Sequence, residues 1–202
     1  MTRGIDLWYT FAGELLRHLR AMSPEQVRDF WGTPTDRTET YLAIDHGIIP
    51  EIARTMGMRF VREYMRIDGE LFPNNGFPHV FIESENDPTS IADSELEKLC
   101  YLRAPLKVVI TVSKWPDESL RTRWLQDIKD CQQKWLPESE DVIYGFVVGE
   151  AKWEETDVGK RLGLTFHLFA VSPDGEVVDE RPPEVVGWFS PLSVSAAAAG
   201  AQ

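Results

Sequence analysis

Apolar residues recur every four positions through residues 7–22. Leu7, Phe11, Leu15 and Leu19 form one stripe, and Glu14, Arg17 and Arg20 fall off it, so the segment predicts an amphipathic helix. Ser23-Pro24-Glu25-Gln26 opens a second, short helix: serine caps, proline fits the first turn, and Gln26 completes a capping box. Trp31-Gly32-Thr33-Pro34 breaks it. Residues 36–46 predict a helix stopped by Gly47, with Asp36 and Glu39 at capping-box spacing. Residues 49–56 predict another, with Pro50 in its first turn.

The period then changes. Residues 60–71 predict a strand, Pro73-Asn74-Asn75-Gly76 a turn, and Val80 to Glu85 a second strand, so the two should form a hairpin. Ser90 is placed to cap a helix over 91–103, with Asp93 three residues on. Leu106 to Val112 is almost continuously apolar, the pattern of a strand covered on both faces. Pro116 and Asp117 open a long helix to about residue 135, whose apolar stripe is Leu120, Trp124, Ile128 and Cys131. Strands follow at 142–148 and 164–171, then the turn Ser172-Pro173-Asp174-Gly175. No internal repeat is visible. The succession of helices, two strands, helix, strand, helix and two strands implies an α/β fold around one mixed sheet flanked by helices. One domain should span residues 1–192, with its core at about 36–172 and a flexible Ala/Ser-rich tail at 193–202.

Composition narrows the class. The chain has 202 residues, 43% of them hydrophobic, enough for a packed core. No apolar run approaches the roughly 18 residues of a membrane span, and no signal-peptide pattern precedes Asp6. The two cysteines, Cys100 and Cys131, fall in expected helices without metal-ligand spacing, so free packing thiols and a cytoplasmic location are expected. The net charge of −12 argues against a general nucleic-acid binder, yet it is uneven: residues 136–190 carry 12 acidic and 4 basic residues. The four histidines show no ligand spacing, and only His79 lies near the key strand. Glycine-rich phosphate loops and a Gly-x-Ser-x-Gly elbow are both absent. Arg121, Arg123, Lys129 and Lys134 lend the long helix some basic character, which an ordinary amphipathic helix explains.

The chemistry concentrates at Glu83-Ser84-Glu85, which closes the apolar run Val80-Phe81-Ile82. Alternation puts Glu83 and Glu85 on one face, about 7 Å apart. Two carboxylates beside a buried run need a compensating cation, base or water. Asp68 leaves the apolar face of the preceding strand, with Glu70 a rival on the same face. A hairpin can bring Asp68 and Glu83 to one sheet end, where their oxygens suit a hard divalent ion.

At these residues the chain resembles the PD-(D/E)xK nuclease-like superfamily, the restriction-endonuclease-like fold. That pattern places an acid in one hairpin strand and an acid-any-lysine triplet in the next, followed by a helix and a further strand. The resemblance covers roughly residues 36–135 and implies Asp68 and Glu83 as ligands of Mg or Mn. It also implies a backbone ligand at Ser84 and an additional acid at Glu39 in the earlier helix. Glu85 stands at the lysine position, a departure that some members share. In others the lysine has moved to the following helix, which here offers Lys98, with Lys107 as a weaker candidate. The implied activity is metal-dependent phosphodiester hydrolysis, Glu85 or Lys98 orienting the water, on DNA more than RNA. The alternative is a catalytically silent nuclease fold that binds a protein partner, its likeliest contact surface being the acidic stretch 136–190. A homodimer through the first helix, at Trp8 and Tyr9, is a further expectation.

Overall fold

The computed structural model describes residues 3–64, 66–74, 76–134, 141–157 and 159–189. Four helices come first: α1 (Gly4–Arg20), α2 (Pro24–Phe30), α3 (Pro34–Leu42) and α4 (Ile48–Thr55). Three strands follow, β1 (Met58–Tyr64), β2 (Ile67–Pro73) and β3 (Val80–Glu85). A π-helical turn (Ile91–Glu95) leads into α5 (Leu96–Tyr101), then β4 (Leu106–Val112), α6 (Glu118–Lys134), β5 (Ile143–Thr156), β6 (Gly159–Val171), β7 (Val177–Glu180) and β8 (Glu184–Phe189).

The strands make one mixed sheet in the order β1-β2-β3-β4-β5-β6-β7. β1, β2 and β3 meander antiparallel; β3, β4 and β5 run parallel; β6 returns antiparallel along all of β5. β7 pairs with one end of β6 and β8 with the other. The fold is thus α/β, with a single mixed sheet flanked by helices.

The two parallel crossovers pass through α5 and α6, and right-handed crossovers in one direction put both helices on the same face. Their residues Leu96, Leu99, Trp124 and Ile128 form one core with Phe81, Val109, Phe146 and Phe169. There Phe146 lies stacked between Trp124 and Phe169, at centroid distances of 5.3 and 4.8 Å. The opposite face is covered by α1 to α4, whose Leu7, Trp8, Phe11, Leu15 and Leu19 pack on Ile82, Val108, Ile110 and Val147. Each such large side chain is worth about 1.5–3 kcal/mol when fully buried. The stripe of α1 is therefore a core surface, and Trp8, fully buried, is no dimer contact: its indole donates to Asp179 Oδ2 at 2.7 Å. Tyr9 remains 47% exposed.

Several boundaries differ from expectation. The strand expected over 60–71 is two strands, β1 and β2, folded on each other with Tyr64 opposite Ile67. Arg66 takes a left-handed φ of 65°, so a tight reversal forms without the Gly, Pro or Asn that normally announces one. In α3 the cap is Thr33, which exchanges hydrogen bonds with Asp36, so Asp36 closes the box rather than opening one with Glu39. Gly47 precedes α4 as its N-cap and does not end α3, whose last helical residue is Leu42. Ser90 makes no side-chain cap, and its helix begins with a π turn. The strands expected at 142–148 and 164–171 extend into the long β5–β6 ribbon, and β7 and β8 follow where only loop was expected. Residue 135 and the tail at 193–202 lie outside the described residues. No helix among those described is long and apolar enough to cross a membrane.

Candidate active site

Asp68 is the second residue of β2 and Glu83 the fourth of β3. The register pairs Gly69 with Ile82, and one step further along an antiparallel ladder sets Asp68 directly opposite Glu83. Directly opposed side chains stand about 4.5–5.5 Å apart at Cβ, and like charges there repel. The site tempers this in three ways. The Ser84 backbone N–H donates to Asp68 Oδ2 at 2.8 Å. The Asp68 and Glu83 carboxyls share a hydrogen bond. Lys98, on α5, brings its ammonium to 3.1 Å from Glu83 Oε1.

Lys98 also ion-pairs with Glu95, one helical turn earlier. Burial alone would lower the Lys98 pKa, but Glu95 and Glu83 outweigh it and hold the ammonium above its ordinary value. Glu83 is only 2% exposed. Burial pushes its pKa up, the negative charges of Asp68 and Glu95 add to the shift, and Lys98 opposes it. Asp68 is also raised, first by burial, against the lowering hydrogen bonds from Ser84 and Glu83. Two adjacent carboxyls with raised pKa values make a pocket that favours added positive charge.

The other expected site residues lie around this pair. Ser84 contributes its amide to Asp68, as above. Glu85, partly exposed, accepts from the Asp87 backbone N–H at 2.7 Å and so turns into the following loop. Glu39 is held by Arg62 of β1 in a two-pronged pair of 2.8 and 3.2 Å. That hydrogen-bonded pair lowers the Glu39 pKa, while the Arg62 charge also reaches Asp68. Lys107 is fully buried on the same face of the sheet as Lys98, with its ammonium 3.3 Å from the Tyr144 hydroxyl. Glu95 is the residue that sequence reading missed; its signal was the i, i+3 spacing to Lys98 along a helix.

The pair's fit to a divalent ion can be judged from its donors. Among the described residues no group of three His, Cys, Asp or Glu side chains is gathered that could hold a metal ion. Magnesium commonly takes one or two carboxylates and fills its remaining positions with water and substrate phosphate, and Asp68 and Glu83 are donors of that type and number. The raised pKa values express the same demand for positive charge.

No protein-family model matches the chain. No curated protein matches it in sequence.

Proposed function

We propose that the protein is a metal-dependent nuclease that hydrolyses phosphodiester bonds at Asp68, Glu83 and Lys98. One observation carries this reading: Asp68 and Glu83 face each other across β2 and β3 while a lysine from the next helix reaches Glu83 at 3.1 Å. The arrangement resembles the acid, acid and lysine set of the PD-(D/E)xK pattern, with the lysine supplied from α5 instead of position 85.

Asp68 and Glu83 would hold Mg or Mn, with Glu39 able to join only by leaving Arg62. Such an ion, when bound, supplies Lewis acidity to the phosphate and acidifies a water. Lys98, kept protonated by Glu95 and Glu83, acts as a donor that orients the attacking water and meets charge developing on a phosphate oxygen. It is poorly suited to be the base. Water adds to phosphorus, the opposite P–O bond opens, and the leaving oxygen takes a proton from solvent. The partly exposed Glu85 carboxylate is the acceptor nearest in sequence for the water's proton once it turns from the Asp87 amide. DNA is the favoured substrate over RNA, in a cytoplasmic setting.

Incubating labelled single- and double-stranded DNA and RNA with the protein and Mg or Mn tests the reading. Cleavage should fall at least about 100-fold in Asp68→Ala and in Lys98→Ala. Cleavage indifferent to Asp68→Ala would overturn it. A second reading, a silent scaffold for a basic protein partner, is favoured by the way Lys98 already neutralises Glu83 and Glu95 and by the net charge of −12. A folded wild type that cleaves none of the four substrates would favour that scaffold.

A further inference from the structure

The chain has two cysteines, Cys100 on α5 and Cys131 on α6, and the fold brings them together. Both helices pack on the same core, and Lys134 of α6 reaches Glu97 of α5 at 3.3 Å. Within that contact the Cys100 and Cys131 side chains hydrogen-bond each other. Each residue is 9% exposed, and both are thiols. Packing needs only small apolar side chains at such positions, yet polar groups gather around these two sulfurs.

The Tyr144 hydroxyl of β5 orders them. It accepts from Lys107 Nζ at 3.3 Å and from Gln132 Nε2, next to Cys131, at 3.4 Å. A hydroxyl has two acceptor positions and one proton. With both positions taken, the proton points at the remaining neighbour, Cys100 Sγ, at 3.3 Å. The buried Lys107 ammonium stands behind it, 5.0 Å from the Tyr144 ring centre. A donor and a nearby lysine favour the thiolate form of a cysteine. Cys131 is the opposite case. Burial first, then the charge and hydrogen bond of Cys100, push its pKa up to about 12, so it keeps its proton and donates to Cys100. The pair is asymmetric: Cys100 carries the stabilised sulfur and Cys131 the retained proton.

We propose that Cys100 and Cys131 are a redox modification site, a thiol pair that hydrogen peroxide converts to a reversible disulfide between α5 and α6. The Cys100 thiolate attacks a peroxide oxygen: an S–O bond forms, the O–O bond breaks, and the leaving hydroxide takes up the proton that Cys100 released. The Cys131 sulfur then attacks the Cys100 sulfenic acid: the S–S bond forms, the S–O bond breaks, and the hydroxyl leaves as water with the Cys131 proton. The two sulfurs give up two electrons, the peroxide accepts them, and two waters result. Peroxide is small enough for sulfurs this buried. Lys98 lies two residues before Cys100 on the same short helix, so the bond staples the element that supplies the candidate site's lysine. The thiol pair does not depend on the nuclease reading.

The test exposes the reduced full chain to hydrogen peroxide, quenches in acid, alkylates remaining thiols with N-ethylmaleimide in denaturant, and reads intact mass and a peptide map. A monomer two hydrogens lighter, without alkylation and with the Cys100 and Cys131 peptides joined, is expected, at a rate independent of protein concentration and reversed by dithiothreitol. In Cys131→Ser, dimedone should trap a sulfenic acid at Cys100. In Cys100→Ser, Cys131 should oxidise at least about tenfold more slowly. Asp68→Ala should form the same disulfide, which keeps failure of the nuclease reading distinguishable from failure of this one. Native thiols that stay alkylatable after peroxide, oxidation that runs on to sulfinic acid, or a bridge between two chains would overturn the site. Equal rates in the two serine variants would overturn the assignment of Cys100 as the attacking sulfur. If a serine variant unfolds, the wild-type mass and map decide by themselves.

Discussion

Glu70 shows how much a single carboxylate can cost. It lies on β2 two residues after Asp68, fully buried, and neither side-chain oxygen has a hydrogen-bond partner. Desolvation raises its pKa from 4.5 to about 7. An acid with a raised folded-state pKa binds more protons folded than unfolded, so it lowers stability as pH climbs from about 4.5 to 7 and adds nothing further above that. Glu70→Gln, which keeps the shape and removes the charge, should stabilise the fold by about 2–3 kcal/mol at pH 8 relative to its effect at pH 4. Denaturant melts at the two pH values check this, and an equal effect at both would contradict the account. Glu83 differs from Glu70 at this scale. Its burial is answered by Lys98, while the Ser84 amide serves the neighbouring Asp68, an arrangement organised around charge, whereas Glu70 has only the penalty.

At the scale of elements, α1 holds the site from behind. Trp8 lies against Gly145 of β5, where an added Cβ would come within 2.3 Å of the indole ring. The neighbours are rigid and buried, so Gly145→Ala should cost at least about 1–3 kcal/mol as overpacking and lower the melting temperature, read by calorimetry. An unchanged melting temperature would mean that α1 can slide away from the sheet. Elements with a strong period were legible in advance: the stripe of α1, the apolar runs of β3 and β4, and the stripe Trp124, Ile128 and Cys131 of α6, all buried. The reversal at Arg66 was not, because a left-handed arginine leaves no compositional mark. Nor were β7 and β8, short strands whose described residues are exposed or half-buried. For the site, strand parity sufficed to bring Asp68 and Glu83 to one face. The reach of Lys98 to Glu83 and of Arg62 to Glu39 depends on how α5 and β1 pack, which short-range pattern does not encode.

For the molecule as a whole, the question is how a chain of net charge −12 would approach a polyanion. The acidic excess lies mainly in residues 136–190, and described parts of it are already paired: Glu180 with Arg121 and Glu184 with Arg20. The candidate site lies at the other side of the sheet, where Arg37, Arg62 and Lys98 gather around the ends of β2 and β3. An approach confined to that end needs few phosphate contacts, so binding should depend only weakly on salt. The central claim is that Asp68 and Glu83 form a cation site, and calorimetric titration of Mn into the wild type, Asp68→Ala and Glu83→Ala tests it most directly. The account predicts one saturable site in the wild type, lost in both variants, with affinity that rises with pH as the raised carboxyl pair gives up its proton. Binding that persists unchanged in either variant, or a folded wild type that binds no Mn across that pH range, would contradict it.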